Sequence, residues 1–185
     1  MGTTLGSLFT QASRAVALFD DAVERRIDRW RGRPGLDRMM YAASELGDFS
    51  LIWHLVGTAR ALAPDRAPVH AVRVAAILGA ESLLVNQGVK RLVGRHRPPW
   101  EHERPHRLRQ PTTSSFPSGH ASAAAVAVAV LSENDPLWPL YAALGVTVAV
   151  SRVYAKVHHP SDVVAGALIG LAIGAVARRL WPFPA

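Results

Sequence analysis

The chain has 185 residues, the size of one domain, with 49% of them apolar and 19% charged. That balance excludes a disordered chain, and the absence of cysteine excludes disulfides and thiolate metal sites while leaving the redox compartment open. The net charge of +7 implies an anionic partner, a role that nucleic acid, an anionic lipid surface or a phosphorylated substrate would each satisfy.

Residues 8–32 place Phe9, Ala12, Val16, Phe19, Val23, Ile27 and Trp30 three or four apart, with Arg25, Arg26, Asp28 and Arg29 among or opposite them. The spacing predicts an amphipathic helix too charged to span a bilayer, either packed on the rest of the protein or lying in the membrane interface. No charged n-region precedes a short apolar core and cleavage site, so no secretory signal is expected. The RGRPG stretch at 31–35 breaks this helix and sets residues 1–35 apart from a domain at 36–185.

Residues 36–63 are predicted as a second helical region, strongly apolar only in its second half, and Pro64 and Pro68 bracket the turn after it. Further helices are predicted at 69–93, 118–132, 136–157 and 161–181. The AVAVAV run at 124–129 alternates like a strand, but its alanine content and polar N-cap favour helix. From Val163 to Ala177 the last helix carries no charge, which marks a deep core helix or a membrane span. Spanning needs roughly 20 residues, and a chain this short would rarely bury four such helices. Gly166, Gly170 and Gly174 recur every four residues; each costs a helix in water roughly 1 kcal/mol against alanine, but lets helices pack closely in lipid. The expected fold is all-α, an integral membrane bundle of about 5–6 helices.

Helices joined by short turns run antiparallel, so from residue 69 onward four polar helix ends fall on one face. Lys90, Arg91, Arg95, His96 and Arg97 lie at the first, Ser118, Gly119 and His120 at the second, Arg152 and His158 at the third, and Asp162 opens the fourth. Ser118 reads as an N-cap, Gly119 leaves the first helical N–H groups unshielded, and His120 is the first proton donor or acceptor beside an anion held there. Alone, this tetrapeptide reads more readily as a Ser-capped helix with an incidental histidine. Lys90, Arg97 and Arg152 together would clamp a phosphoryl group, whereas singly each reads as a snorkelling or dipole-offsetting cation. His158 and Asp162 stand four apart across Pro160; a carboxylate that fixes one imidazole nitrogen leaves the other free to attack. On spacing alone His159 has the same claim.

The eight histidines, His96, His102 and His106 among them, show no zinc-protease helix motif, so no metal is expected. Residues 99–112 read as a mobile polar loop over the site. The basic residues lie beside apolar spans with no aromatic-rich basic motif, so nucleic acid is not the expected partner.

These residues carry a resemblance. Lys90 to Arg97-Pro98 matches KxxxxxxRP, Pro117-Ser118-Gly119-His120 matches PSGH, and Ser151-Arg152 with His158 and Asp162 matches SRxxxxxHxxxD. The chain thereby resembles the type 2 phosphatidic acid phosphatase (PAP2) superfamily over roughly residues 86–165, while residues 1–35 carry no such likeness. The resemblance implies His158 as a nucleophile that forms a phosphohistidine, Asp162 as its orienting partner in preference to His159, and His120 as the general acid. It implies Lys90, Arg97, Ser118, Gly119 and Arg152 as the phosphate-holding set, with no cofactor and no metal. The same motifs occur in vanadium haloperoxidases, which are larger soluble proteins.

The expected partners are a lipid phosphate and the membrane, and a homo-oligomer is compatible with the sequence. Arg60, Arg66, Arg73, Arg178 and Arg179 lie on the face opposite the site, which the positive-inside rule makes cytoplasmic. The site is therefore expected on the outer side of a bacterial cytoplasmic membrane. Polyprenyl phosphates or diphosphates, foremost undecaprenyl diphosphate, fit such a site, as do phosphatidate, phosphatidylglycerophosphate and a prenylphosphoryl-sugar phosphate. A catalytically silent lipid-binding member and a soluble acid phosphatase are the readings from other classes.

Overall fold

The computed structural model describes residues 2–62, 68–100, 104–109 and 111–183, with side chains from residue 6 onward. Its seven helices are α1 (Gly2–Asp28), α2 (Pro34–Leu46), α3 (Leu51–Ala61), α4 (Val69–Leu92), α5 (Gly119–Leu131), α6 (Trp138–Tyr154) and α7 (Pro160–Leu180), and the described residues contain no strand. The all-α expectation holds, but the expected helix over 36–63 does not. It splits at Gly47–Ser50, where Phe49 and Ser50 adopt left-handed backbone with φ of 53° and 58°. The Gly-Asp-Phe-Ser run there is a breaker cluster that the apolar flanks conceal.

Helix α5 is the centre of the bundle. Its alanines and valines are small enough to be enclosed on most sides, and Val126 and Ala127 are inaccessible. Trp53 of α3, Val74 and Leu78 of α4, and Tyr141 and Val148 of α6 complete this core. Helix α7 packs on α5 backbone to backbone. A Cβ on Gly166 would fall on the carbonyl oxygen of Ser118, one on Gly170 on that of Ser122, and one on Gly174 would meet the Ala129 methyl at 2.6 Å. The recurrent glycines are the contact stripe itself.

Helices α4 and α7 are long and apolar enough to cross a bilayer. Outward from the core they present Val72, Leu83, Leu84, Val164, Leu168 and Leu171, a surface that suits lipid better than water. Just before Lys90, residues Leu83–Val89 of α4 widen to i→i+5 turns, a distortion often found beside functional groups.

At the end away from the motifs, Arg60 pairs with Asp135 at 2.7 Å and Arg73 with Glu133 at 2.7 Å, while Arg73 also donates to the Trp181 carbonyl at 2.6 Å. Two of the arginines expected as surface charges are therefore buried ion pairs that tie α3 and α4 to the α5–α6 turn, leaving Arg178 and Arg179 exposed. Arg66 lies outside the described residues, as does His102.

Helix α1 begins earlier than its amphipathic pattern and ends at Asp28. Residues 6–19 are exposed on every side, and the helix meets α6 and α7 only through its second half.

Candidate active site

The ends of α4 and α6 and the starts of α5 and α7 converge as their antiparallel order requires. They surround a cup of about 790 Å³ lined by Lys90, Gly119, His120, Arg152 and His158, with Asp48 and Arg109 at its edge. His159 does not line it; its ring Nε2 lies 3.2 Å from the His96 carbonyl, and it caps α7. Position, which spacing could not supply, thus separates the two adjacent histidines.

His158 sits in the tight turn after α6, where its N–H and that of Val157 both donate to the Arg152 carbonyl. Its Nε2 is 3.3 Å from Arg97 Nη1. A guanidinium can only donate, so Nε2 is the acceptor and the ring proton belongs on Nδ1. Nδ1 faces Asp162 Oδ2 at 3.6 Å, an ion-pair approach longer than a hydrogen bond. Burial pushes the imidazole down to about 3; Arg152, Arg97 and Lys90 push the same way, against the pull of Asp162.

Asp162 is inaccessible and fully engaged. Its Oδ2 accepts from the His159 backbone N–H at 2.9 Å and its Oδ1 from Arg95 at 2.6 Å. Arg95 donates in turn to Asp20 of α1 at 2.7 Å, and Asp20 accepts from the Ser161 N–H and hydroxyl at 2.7 and 2.8 Å. The N-terminal helix thereby reaches the carboxylate behind His158.

His120 is the second residue of α5. Its Nε2 is 3.0 Å from Asp48 Oδ1 and 3.2 Å from the Ser44 carbonyl, both of them acceptors. Nε2 therefore carries a proton, and Nδ1 is left for chemistry. Burial raises the Asp48 carboxyl, but His120, Arg152 and Arg109 outweigh it and leave the group below its usual range. Gly47 supplies the closeness: a Cβ there would come within 2.5 Å of the His120 ring.

Arg152 is wholly buried and donates through Nη1 to the Ser44 hydroxyl, while its Nε and Nη2 have no hydrogen-bond partner among the described residues. A buried guanidinium with spare donors suits an anion. Arg97 is oriented by the carbonyls of Val157 (2.7 Å), Thr113 (3.2 Å) and Ser114 (3.3 Å), with no carboxylate among these partners. Gly119 has its own steric reason, because a Cβ would meet Asn86 Oδ1 at 2.8 Å.

Ser118, expected in the phosphate-holding set, stands at the α5 N-terminus. It is fully buried, its Oγ accepts from the Ala121 N–H at 3.4 Å, and its own N–H donates to the Asp162 carbonyl at 3.0 Å. Its visible work is to cap α5 and to join α5 to α7. Asp48 and Asp20 were not singled out from the sequence, and Arg95 was placed at the polar helix end without a role; each acts through a partner far along the chain, and only the helix-breaking context of Asp48 carries a local signal.

The PAP2 superfamily model matches residues 70–183. The chain is 32% identical over 148 residues to the decaprenylphosphoryl-5-phosphoribose phosphatase of Mycobacterium tuberculosis, covering 78% of this chain and 80% of that protein. It is 35% identical over 137 residues to the same enzyme of Mycolicibacterium smegmatis, covering 73% of each. A shorter match, 43% over 63 residues and about a third of each chain, links it to the undecaprenyl-diphosphatase of Sulfolobus acidocaldarius. Two crystal structures share the fold: the transmembrane PAP2 type phosphatidylglycerolphosphate phosphatase of Bacillus subtilis, at 24% identity and a TM-score of 0.69 over 90% of this chain and 86% of that one, and Aquifex aeolicus LpxE, at 25% identity and 0.68 over 85% and 93%. With its motif residues gathered in one cationic cup and its matched region covering most of the molecule, the chain belongs to the PAP2 superfamily and is a membrane-associated phosphatase.

Proposed function

We propose that the protein removes phosphate from a polyprenyl phosphate or diphosphate lipid through a phosphohistidine on His158, without a metal. The observation that carries this reading is the Arg97–His158 contact, which marks the His158 Nε2 as the lone-pair nitrogen, beside a cup in which Arg152 keeps two buried donors without a hydrogen-bond partner among the described residues.

A phosphoryl group held by Lys90, Arg97, Arg152 and the Gly119 N–H takes the place of the Arg97–Nε2 contact. Nε2 attacks phosphorus, the Nε2–P bond forms as the bond to the leaving oxygen breaks, and Asp162 balances the charge that appears on the ring. His120, protonated on both ring nitrogens beside the bound phosphate, gives its Nδ1 proton to the leaving oxygen, then takes one from the water that cleaves the phosphohistidine. Ser118 serves by fixing the N-terminus of α5. The basic cup at the end of apolar helices suits a phosphate at the lipid–water boundary, and the exposed Arg178 and Arg179 at the opposite end support a site on the outer side of a bacterial cytoplasmic membrane. The polyprenyl class draws support from the mycobacterial and archaeal relatives, which are named for decaprenylphosphoryl and undecaprenyl substrates. A glycerophospholipid phosphate is the second reading, supported by the Bacillus fold relative.

The test is phosphate release in detergent from undecaprenyl diphosphate, undecaprenyl phosphate, phosphatidate and phosphatidylglycerophosphate, with EDTA present. Turnover of a polyprenyl substrate should be fastest, survive chelation and fall at least about 10³-fold in His158→Ala. Preference for phosphatidate, or loss of activity with EDTA, would contradict the proposal.

A further inference from the structure

Helix α1 lies outside residues 70–183, the span that the family model matches, yet one of its carboxylates reaches the reaction centre from behind. Asp20 is buried and accepts three bonds: from Arg95 Nη2 at 2.7 Å, from the Ser161 N–H at 2.7 Å and from the Ser161 hydroxyl at 2.8 Å. Arg95 is held at both ends. Its carbonyl accepts from the Ser115 N–H at 2.9 Å, and its N–H donates to Ser114 Oγ at 3.2 Å. Its Nη1 donates to Asp162 Oδ1 at 2.6 Å and to the Ser161 hydroxyl at 2.7 Å. One guanidinium thus bridges two carboxylates, Asp20 on Nη2 and Asp162 on Nη1. Neither Asp20 nor Arg95 lines the cup. Packing of α1 has a separate anchor, because Glu24 holds Arg31 at 2.8 Å and Arg31 donates to the Val153 and Tyr154 carbonyls, each at 2.8 Å.

The charges decide what the bridge does. Asp162 turns its other oxygen towards His158 Nδ1, and the ring gains positive charge as Nε2 bonds to phosphorus. An unbalanced Arg95 guanidinium would compete with the ring for that carboxylate. As carboxylates, Asp20 and Asp162 with Arg95 between them keep one negative charge, and Asp162 is the member that faces the ring. With position 20 neutral they keep none. We propose that Asp20 is a positioning residue for phosphoryl transfer: it holds and neutralises Arg95, and so leaves the Asp162 charge to the His158 ring. The proposal rests on the phosphohistidine reading and extends the working site to a helix that carries none of the family motifs.

The experiment measures kcat, KM and the thermal midpoint in detergent for wild type, Asp20→Asn and Asp20→Asn/Arg95→Gln, with undecaprenyl diphosphate and with phosphatidate as substrates. In Asp20→Asn kcat should fall about tenfold or more on each lipid that wild type turns over, with KM within about twofold, because the cup itself is untouched. The double variant removes both charges of the pair, and its kcat should return to within about threefold of wild type. A merely structural Asp20 would not give that recovery, since the double variant has lost more bonds than the single. Unchanged kcat with a lowered midpoint, a rise in KM instead, or a double variant no faster than the single would overturn the proposal. Should Asp20→Asn fail to fold, the charge-balanced double variant must still fold and turn over within the same range, and its failure would count equally against the pairing. Failure of the phosphohistidine reading is distinguishable, because it would show as wild-type turnover that His158→Ala leaves intact, whatever position 20 does.

Discussion

Burial and three neighbouring cations keep His158 neutral, and this has a consequence for stability. An unfolded histidine titrates near 6.5, whereas His158 in the fold titrates at about 3. As pH falls between those values the unfolded chain binds the proton first, so this group's contribution, complete above about 6.5, is lost towards 3. Thermal midpoints in detergent should therefore fall less steeply between pH 7 and 4 in His158→Gln than in wild type; parallel slopes would contradict the neutral assignment. In the proposed reaction His120 has the opposite need, a second proton; burial and Arg152 push its imidazole down, and Asp48 at 3.0 Å opposes them. Asp48→Asn should slow release from alkyl phosphates by about 10- to 100-fold, yet change p-nitrophenyl phosphate turnover by less than about threefold, because that leaving group needs no proton. Equal losses on both would reduce Asp48 to a structural residue. The residues of the cup were legible because each motif keeps its members close in sequence. Asp48 and Asp20 were not: Asp20 meets Arg95 across 75 residues, and nothing in either neighbourhood announces the other.

Among the elements, the α5–α7 seam couples packing to chemistry. Gly166 lies against the carbonyl of Ser118, two residues before His120, so any side chain there moves the start of α5. Gly166→Ala should reduce activity at least about tenfold and lower the thermal midpoint. Gly35→Ala, where no atom lies within 4 Å of the added methyl, should leave activity unchanged and add up to roughly 1 kcal/mol of helix stability. Circular dichroism melts and phosphate release on the two variants check this; equal behaviour would remove the seam from the account. Helices α4 to α7 were legible from uninterrupted apolar runs between polar ends. The α2–α3 break was not, because its left-handed residues are Phe49 and Ser50 rather than glycine, so tertiary contacts rather than local propensity hold that turn. The first half of α1 shows the reverse: its amphipathic pattern was plain, yet residues 6–19 stay exposed, the apolar face with the rest.

For the whole molecule the governing fact is asymmetry along the bundle. One end gathers Lys90, Arg109 and Arg152 around the cup, while the other buries Arg60 and Arg73 against Asp135 and Glu133 and leaves Arg178 and Arg179 exposed. The chain has no cysteine, so single introduced cysteines report sidedness without background. In intact cells a membrane-impermeant maleimide should label Thr112→Cys, and should reach Arg179→Cys only after permeabilisation; the reverse pattern would invert the proposed orientation. Sidedness was only partly legible from the sequence, since two of the arginines used to infer it turn inward to close the fold.

The central claim is that phosphate passes through the imidazole at position 158. Rapid quenching of a ³²P-labelled substrate, followed by mapping of the acid-labile, base-stable adduct, tests it most directly. Label on His158 that disappears in His158→Ala, and that accumulates in His120→Ala when the leaving group needs no proton, is the predicted result. Turnover with no protein-bound label, or label on His159, would contradict it.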